Sequence, residues 1–372
     1  MERSYFRRKL DEILDKADVR INGDRPWDLE IHEPRFPRRL MAEGSMALGE
    51  SYVAKWWDCA DLPNFFCRVT SADLPLHFKT CKHTCACFLA RCYNFQKISR
   101  AFQVGQRHYD LGNQLYRKML DPTMSYSCAY WKEATTLEEA QLAKLELICS
   151  KLHLKPGQRL LDIGCGWGGM AKYAAERYGV SVVGITISEE QAKLARELCQ
   201  GLPVEIRLMD YRTLYEKFDR IVSIGMFEHV GYKNYRTFMR VARRCLEDTG
   251  LFLLHTIGNN RSVLRTDPWI DKYIFPNSML PSAKQITNAA EGLLVMEDWH
   301  NFGQDYDKTL VAWYDNFERA WPQLRDSYGD RFYRIWKYYL LSCAGAFRSR
   351  AIQLWQIVYS PAGVVGGYQA PR

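Results

Sequence analysis

The sequence predicts an α/β protein in which a mostly parallel β-sheet, wrapped by helices, follows a smaller and mostly helical N-terminal domain. Three observations predict this fold. Over the first hundred residues, short helical patterns alternate with loops. From Leu154 onward, apolar strand-like runs alternate with helical patterns, as in parallel sheets. The first of these runs ends in a glycine-rich turn, and a length of 372 residues leaves room for two unequal domains.

The N-terminal domain is predicted over residues 1–95. Its helical patterns cover Ser4–Ala17, Met46–Asp58 and Leu76–Phe95. In the first pattern, Leu10, Ile13 and Leu14 share one face. The composition turns polar and basic at residue 96, so residues 96–104 are interpreted as a linker and residues 105–372 as the catalytic domain.

The catalytic domain alternates strands with helices along the chain. Strands are predicted at Arg159–Ile163, Ser181–Ile185, Val204–Leu208, Phe218–Ser223 and Leu251–Leu254. Helices are predicted at Met170–Tyr178, Ser188–Cys199 and Asn234–Leu246. The glycine-rich tail Pro361–Pro371 is expected to fray.

The composition is that of a globular chain, with 47% hydrophobic and 25% charged residues, and it excludes a disordered or fibrous protein. A net charge of +8 favours an anionic partner, which could be nucleic acid, a membrane surface or a metabolite. No apolar run approaches the ~20 residues that span a bilayer, and the charged start lacks a signal core, so a cytoplasmic location is expected. The 12 cysteines are scattered and are expected to be free thiols.

The sharpest signal is the turn Leu161–Gly169, where an apolar strand meets a helix. Glycines let the backbone turn tightly and approach a ligand, and the helix start offers free N–H groups. A dinucleotide fingerprint reads G-x-G-x-x-G with an acid about 20 residues later. Here the pattern is G-x-G-x-G-G, and Asp162 precedes the first glycine. This order favours S-adenosylmethionine, whose ammonium and sulfonium groups suit a nearby acid.

The second predicted strand ends without the acid that usually binds a ribose. Thr186, Ile187 and Gln191 would then serve the ribose through backbone and amide contacts. After the third strand, Asp210 could accept from the adenine amino group; a helix cap is the alternative for this residue.

Five motifs together resemble the cyclopropane-fatty-acyl-phospholipid synthases, over nearly the whole chain. They are His108–Asn113, Tyr126–Trp131, Gly225–Gly231, His255–Gly258 and Ala312–Tyr314. The resemblance implies a Rossmann-like class I methyltransferase fold with a seven-stranded sheet. It also implies a homodimer and a reaction in which a methyl group passes from S-adenosylmethionine to a cis double bond of a phospholipid acyl chain. A carbocation forms, bound bicarbonate removes a proton from the new methyl group, and the ring closes.

The resemblance assigns residues to two sites. The catalytic site with its bicarbonate would comprise Cys128, Glu228, His255, Ile257 and Tyr314. The cofactor site would comprise Tyr126, Ser127, Gly164, Gly166, Thr186, Ile187, Gln191, Asp210 and Tyr211, to which the glycine-rich turn adds Asp162. Cys343 matches a position regarded as an active-site cysteine in the family. This chemistry needs no thiol nucleophile, however, and the small neighbours of Cys343 favour close helix packing.

The residues themselves support part of this assignment. Glu228 and His255 follow predicted strands at their carboxyl ends, where α/β sheets bind ligands. An acid and an imidazole can fix a small anion, although a surface ion pair and a strand cap are the alternatives. A carbocation also needs a dry pocket with aromatic faces. The candidates for that wall are Tyr126, Tyr130, Trp131, Phe227 and Tyr314.

The cysteine and histidine residues between positions 81 and 92 favour a buried helix face over a zinc site. Zinc sites usually draw ligand pairs from two separated segments, whereas these residues crowd one predicted helix. No metal is therefore expected.

A lipid substrate requires docking at a membrane, which is expected at the inner face of the cytoplasmic membrane. Two clusters of basic residues, one of them interleaved with aromatic residues, suit an anionic lipid surface, with a solvated charged face as the alternative. The first cluster is Arg3, Arg7, Arg8 and Lys9; the second is Arg331, Phe332, Tyr333, Arg334, Trp336, Lys337, Tyr338, Tyr339, Arg348 and Arg350.

Three other functions remain open on the sequence. An enzyme that methylates a lipid or a small amine would share the glycine-rich turn and need no bicarbonate. A nucleic-acid methyltransferase would suit the positive charge, but the sequence lacks an Asn-Pro-Pro-Tyr-type motif and a Pro-Cys motif, so no nucleic-acid partner is expected. A non-catalytic binding module is disfavoured by the intact set of Cys128, Glu228, His255 and Tyr314.

Overall fold

The structure is a computed structural model that describes residues 5–74 and 112–372. These residues divide into two compact units. The first unit contains residues 5–74, 264–276 and 306–352, and the second contains residues 112–263, 277–305 and 353–372. The predicted linker 96–104 and the predicted helix Leu76–Phe95 lie outside the described residues, so a division at that point stays a prediction. Two segments of the predicted catalytic domain, 264–276 and 306–352, pack with the N-terminal helices in the first unit.

The helices and strands are numbered here in chain order over the described residues. They are α1 Tyr5–Asp15, β1 Glu30–Ile31, α2 Phe36–Glu43, α3 Ser45–Val53, β2 Trp57–Asp58, α4 Leu62–Ser71, α5 Asn113–Met119, α6 Leu137–Lys151, β3 Arg159–Ile163, α7 Gly169–Tyr178, β4 Ser181–Thr186, α8 Glu189–Leu198, β5 Val204–Leu208, β6 Phe218–Ile224, α9 Tyr235–Cys245, β7 Leu246–Asn259, α10 Pro268–Tyr273, α11 Ala283–Ala290, β8 Val295–Asn301, α12 Gln304–Arg348 and β9 Ile352–Ser360. α12 is interrupted by a kink at Gly329, whose φ is 73°. Most predicted elements are confirmed within a residue or two. The predicted helix Met46–Asp58 is too long, because Lys55 adopts a φ of 60° that ends α3 before β2 begins.

The first unit has an aromatic core between its N-terminal helices and α12. Trp57 lies with its ring centroid 5.1 Å from that of Tyr52 and 5.6 Å from that of Phe65. Tyr338 of α12 contacts Tyr52 at 5.4 Å. A Cβ atom on Gly345 of α12 would lie 2.5 Å from the Cβ of Phe66, so this glycine permits the close approach of α12 to α4.

The second unit is built on one sheet. Within the described residues its seven strands lie in the order β5-β4-β3-β6-β7-β9-β8. The pairs β5–β4, β4–β3, β3–β6 and β6–β7 are parallel, and β8 pairs antiparallel with β9. The chain leaves β3 toward β4 and returns on the other side as β6, which makes the carboxyl end of β3 the point where open α/β sheets bind ligands. The predicted mostly parallel, seven-stranded sheet is confirmed.

Helices cover both faces of this sheet. On one face α9 buries Phe238 and Met239 against strand residues such as Ile221. On the other face α6 and α7 bury Leu145, Ile148 and Met170. α6 begins at a capping box, in which the Thr136 hydroxyl accepts from the Glu139 N–H and the Glu139 carboxylate accepts from the Thr136 N–H. This cap fixes where α6 starts, and thereby which of its residues face the sheet.

Candidate active site

The glycine-rich turn leaves β3 through left-handed backbone. Gly164, Gly166 and Gly168 have φ values of 84°, 55° and 86°, which other L-residues adopt only with strain. The N–H groups of Gly164 and Cys165 both donate to the Ile185 carbonyl, at 2.9 and 3.0 Å, and this ties the turn to the end of β4. Among the described residues other than its two chain neighbours, none has an atom within 4 Å of the place where a Cβ on Gly166 would stand. A ligand can therefore approach the backbone at this point.

Asp162 lies under this turn in β3 and is 1% exposed. Neither carboxylate oxygen has a hydrogen-bond partner among the described residues. Burial raises the pKa of Asp162 to about 7, and the positive charge of Lys144 opposes that rise. Buried carboxylates are normally paired, because an unpaired one loses its hydration without compensation. The two free oxygens fit a cationic ligand group such as the ammonium of S-adenosylmethionine.

The end of β4 brings the predicted ribose residues together. The Thr186 hydroxyl donates to Gln191 Oε1 at 3.0 Å and accepts from the Ser188 N–H at 3.2 Å. Thr186 and Gln191 are buried, and Ile187 between them is half-buried. Because the Gln191 oxygen is occupied by Thr186, its NH₂ group is the end that can donate to a ligand.

Asp210 has the capping geometry that was the alternative for this residue. Its carboxylate accepts from the Arg212 N–H at 2.9 Å and from the Arg212 guanidinium at 2.8 and 2.6 Å. Tyr211 is buried with its ring 5.3 Å from that of Phe238. Contact of Asp210 or Tyr211 with an adenine stays a prediction, and an adenine amino group would share the Asp210 carboxylate with Arg212.

The segment Ser125–Cys128 is held by two side chains of α6 that the sequence analysis missed. Gln141 Nε2 donates to the carbonyls of Ser125 and Ser127 at 3.3 and 2.9 Å. Lys144 Nζ donates to the hydroxyls of the same two serines at 3.2 and 3.1 Å. Gln141, Lys144 and Cys128 are buried, at 0%, 1% and 0% exposure. One sequence signal could have indicated this role. The glutamine and the lysine are three positions apart, so they share the helix face on which the apolar residues of α6 are buried.

Glu228 and β7 form a second cluster at the carboxyl end of the sheet. Ile224 of β6 lies opposite His255 of β7, and the Gly225 N–H donates to the His255 carbonyl at 2.9 Å. Glu228 Oε1 accepts from the Ile257 N–H at 2.7 Å, whereas Oε2 is buried without a partner among the described residues. Burial raises the pKa of Glu228 to about 7.

His255 presents one ring nitrogen to a ligand. The Gln356 NH₂ group lies 3.2 Å from Nδ1, and in this orientation Nδ1 accepts and the proton resides on Nε2. Nε2 is buried and has no partner within the described parts of the chain. Burial, together with the charges of Lys144 and Lys151, lowers the pKa of His255 well below its usual range, so the ring is neutral. The cluster thus offers a donor at His255 Nε2 and an acceptor at Glu228 Oε2, which fits a small anion that carries an O–H group.

The predicted aromatic residues fall in different places. Tyr130 packs against Phe302 with ring centroids 5.3 Å apart, and Phe302 lies 6.0 Å from the ring of His255. Tyr126 packs at 5.3 Å against a tyrosine of α5. Phe227 is fully buried and stacks on Tyr235 at 4.3 Å, so it belongs to the core under α9.

Tyr314 and Cys343 belong to the first unit. The Lys337 ammonium lies 5.4 Å from the Tyr314 ring centroid, and burial and the neighbouring Tyr333 raise the pKa of Tyr314. Burial raises the pKa of the Cys343 thiol to about 12, which keeps it protonated and a poor nucleophile. The catalytic roles of both residues stay predictions.

Much of the second basic and aromatic cluster lies inside the first unit. The Arg334 guanidinium donates to the Tyr52 carbonyl at 2.8 Å and to the Asp58 carboxylate at 2.7 Å. Arg348 pairs with Asp307 at 2.8 Å. Trp336, Tyr338 and Tyr339 are buried. The three buried rings hold α12 in place. Arg331, Arg348 and Arg350 of this cluster, and Arg8 and Lys9 of the first cluster, are exposed, so docking by either cluster stays a prediction.

In residues 5–74 and 112–372, no helix is both long and apolar enough to cross a bilayer. In the same ranges, no group of three or more His, Cys, Asp or Glu side chains could hold a metal ion. The cysteine and histidine residues at positions 81–92 lie outside these ranges.

Comparison with known proteins agrees with this geometry. Residues 96–357 match the family model described as mycolic acid cyclopropane synthetase. The cyclopropane-fatty-acyl-phospholipid synthase of Escherichia coli K12 is 56% identical over 369 residues, which cover 98% of this chain and 96% of that protein. The solved structure of the cyclopropane synthase MmaA2 from Mycobacterium tuberculosis is 32% identical with a TM-score of 0.66, and that of the mycolic acid cyclopropane synthase CmaA1 complexed with SAH and CTAB is 35% identical with a TM-score of 0.65. Each similarity covers 69% of this chain and 97% of the other. The chain therefore belongs to the mycolic acid cyclopropane synthetase family, and with it to the S-adenosylmethionine-dependent methyltransferases of class I fold.

Proposed function

We propose that this enzyme forms cyclopropane fatty acids in phospholipids, by adding a methylene group from S-adenosylmethionine across the cis double bond of an acyl chain, with bound bicarbonate as the base. The E. coli relative, alike over almost the full length of both chains, supports the product. The observation that carries the mechanism is that two buried atoms, Glu228 Oε2 and His255 Nε2, have no hydrogen-bond partner among the described residues.

The residues around the glycine-rich turn would bind and orient the cofactor. When bound, S-adenosylmethionine supplies an electrophilic methyl group on its sulfonium. The Asp162 oxygens would accept from its ammonium, the open backbone at Gly166 would pass beside it, and Gln191 would donate to its ribose. Tyr126 and Ser127 lie on the segment that α6 holds next to this site. An alkene is a weak nucleophile, so catalysis depends mainly on positioning the double bond against the methyl group.

The residues at the end of β7 would hold the base. Bicarbonate would supply the acceptor for the proton that leaves the new methyl group. Glu228 Oε2 would accept from its O–H group, and His255 Nε2 would donate to one of its oxygens. The Ile257 N–H and Gln356 keep these two side chains oriented, at 2.7 and 3.2 Å. Cys128 and Tyr314 are proposed as further contacts on the basis of their motifs.

To reach its lipid substrate, the enzyme is proposed to bind peripherally at the inner face of the cytoplasmic membrane, as a homodimer. The exposed Arg8 and Lys9 are the basic residues that support docking. The Arg334 guanidinium is engaged by the Asp58 carboxylate within the first unit, whereas Arg331, Arg348 and Arg350 of the second cluster are exposed and remain candidates for docking. Two docking faces in a dimer would strengthen binding through avidity.

The test incubates the purified protein with labelled S-adenosylmethionine and vesicles of unsaturated phospholipid. Parallel samples are depleted of bicarbonate and then resupplied. Mass spectrometry should find acyl chains that have gained one carbon and lost the double bond, with turnover that falls on depletion and returns on resupply. Vesicles of saturated phospholipid are the control. A product that keeps an alkene or carries a methyl branch would identify a simple fatty acid methyltransferase, and turnover indifferent to bicarbonate would remove the proposed base.

A further inference from the structure

Lys144 is a buried cation on the inward face of α6. It is 1% exposed, and its Nζ donates to two neutral hydroxyl groups, those of Ser125 and Ser127. Burying an ammonium group costs much of its hydration free energy, which neutral hydroxyl groups compensate only in part. A lysine in this position needs a reason beyond packing, and the groups around it provide one.

Lys144 lies within electrostatic reach of both parts of the site. Burial lowers the pKa of Lys144 to about 8, while Asp121, Cys128 and Asp162 act in the opposite direction, Asp121 most strongly. Lys144 in turn opposes the rise in the pKa of Asp162, and it contributes to the lowered pKa of His255. The other titratable groups that face Lys144 or Asp162 are Asp121, Cys128, Cys165 and Cys199. The thiols of Cys165 and Cys199 have pKa values raised by burial, so they stay neutral.

The balance of charge in the proposed site calls for such a cation. Asp162 and Glu228 are buried carboxyl groups, each with at least one oxygen unpartnered among the described residues. The proposed function adds a small anion beside Glu228. Several negative groups in one dry site repel each other strongly unless a positive charge lies among them. Before the cationic cofactor binds, Lys144 is the buried cation that acts on both Asp162 and His255.

We infer that Lys144 is a positioning residue of the proposed reaction: its two hydrogen bonds fix the segment Ser125–Cys128, and its buried ammonium group adds a positive charge to the surroundings of Asp162. The inference rests on the proposed function for the identity of the ligand. Its consequence is that Asp162 is ionised, and ready to accept from the cofactor ammonium, at a lower pH than its burial alone would allow.

The experiment compares three methionine variants of the full chain. Lys144→Met removes the charge and two hydrogen bonds. Gln141→Met removes two hydrogen bonds to the same segment and no charge. Lys151→Met is the matched control, because Lys151 is also fully buried on α6 but contacts His300 at 3.0 Å and Asp298 at 3.5 Å. S-adenosylhomocysteine is titrated calorimetrically into each protein between pH 6 and 9.

In the wild type, affinity should rise with pH near 7 as Asp162 ionises. In Lys144→Met the midpoint of this rise should move upward by about one pH unit, with roughly fivefold weaker binding at pH 7 and close to tenfold at pH 6. Gln141→Met should weaken binding without moving the midpoint. Lys151→Met should leave both the midpoint and the affinity for S-adenosylhomocysteine unchanged, because Lys151 acts on His255 and not on Asp162.

An unchanged midpoint in Lys144→Met, or the same shift in Gln141→Met, would overturn the inference and leave Lys144 a packing residue. If Lys144→Met does not fold, Lys144→Arg is tested in its place. This variant keeps the positive charge, so its midpoint should match that of the wild type while its affinity changes. A moved midpoint in Lys144→Arg would also overturn the inference. Binding of S-adenosylhomocysteine requires neither lipid nor bicarbonate. If the wild-type protein binds S-adenosylhomocysteine but makes no cyclopropane product, the proposed function is refuted, whereas the inference about Lys144 still stands.

Discussion

Replacing Glu228 by glutamine separates the chemistry of the site from its structure. A glutamine carbonyl can still accept from the Ile257 N–H, where Glu228 Oε1 now accepts at 2.7 Å, so the fold should survive. What disappears is the negative charge on Oε2, which is buried without a partner among the described residues. A charge-assisted hydrogen bond contributes about 1.5–3 kcal/mol, so its loss in the transition state should lower kcat roughly ten- to hundredfold.

The pH dependence sharpens this prediction. The pKa of Glu228 is raised to about 7, so wild-type kcat at saturating S-adenosylmethionine and lipid should rise through neutral pH as the carboxylate forms. In Glu228→Gln that rise should vanish. Calorimetric affinity for S-adenosylhomocysteine should stay within about threefold of the wild type, since Glu228 is assigned to the anion.

The matched control is Glu297→Gln. Glu297 Oε1 also accepts from a backbone N–H, that of Val364 at 2.8 Å, but it lies outside the site and should leave kcat unchanged. Wild-type turnover by Glu228→Gln, or loss of S-adenosylhomocysteine binding, would show that Glu228 has been given the wrong role.

Three further predictions concern other parts of the chain. Asp162→Asn should weaken S-adenosylhomocysteine binding at least tenfold by calorimetry. The raised pKa of Asp162 makes the wild-type apoprotein lose stability as pH rises from about 4 to 7, so the unfolding free energy of the variant should decrease less over that range. An equal decrease in both proteins would contradict the raised pKa. Gly258→Ala would place a Cβ 2.0 Å from the ring of Trp355 and should lower the free energy of unfolding in urea by about 1–3 kcal/mol. A second substitution, Trp355→Leu, should recover part of that loss. An unchanged free energy of unfolding in Gly258→Ala would be inconsistent with this packing. Charge reversal at Arg8 and Lys9 should reduce sedimentation with anionic vesicles at low salt and not at high salt, and unchanged sedimentation would rule out this docking surface.

Local patterns predicted the sheet and the turn because their causes are local. Buried strands such as Arg159–Ile163 and Val204–Leu208 are short apolar or alternating runs, and both were located to the residue. The glycine-rich turn was predictable because its left-handed φ values require glycine. Glu228 and His255 were singled out because predicted strands end shortly before them. In the structure Glu228 follows β6, which ends at Ile224, and His255 lies within β7; their catalytic roles stay predictions.

The features that the sequence did not reveal depend on contacts between distant residues. Gln356 orients His255 from 101 positions away, and no local pattern links them. Arg334 looked like a docking residue until its partner Asp58, 276 positions earlier, was located. The tail was expected to fray, yet the Tyr368 hydroxyl donates to the Lys151 carbonyl at 2.8 Å and Arg372 pairs with Asp298. Lys144 was overlooked because a lysine on a helix is usually solvated, and only packing shows that this one is buried.

Each of the two units is built from three separate segments of the chain, and this has a consequence for synthesis on the ribosome. The first unit lacks α12 until residues 306–352 have emerged, so Tyr52, Trp57 and Phe66 are not covered by the ring of Tyr338 until then. The second unit lacks β9, the strand between β7 and β8, until residue 360 has emerged. Neither unit can complete its fold until most of the chain has been synthesised. The nascent protein should therefore expose aromatic and strand surfaces for much of translation and depend on chaperones more than a chain whose domains fold in sequence.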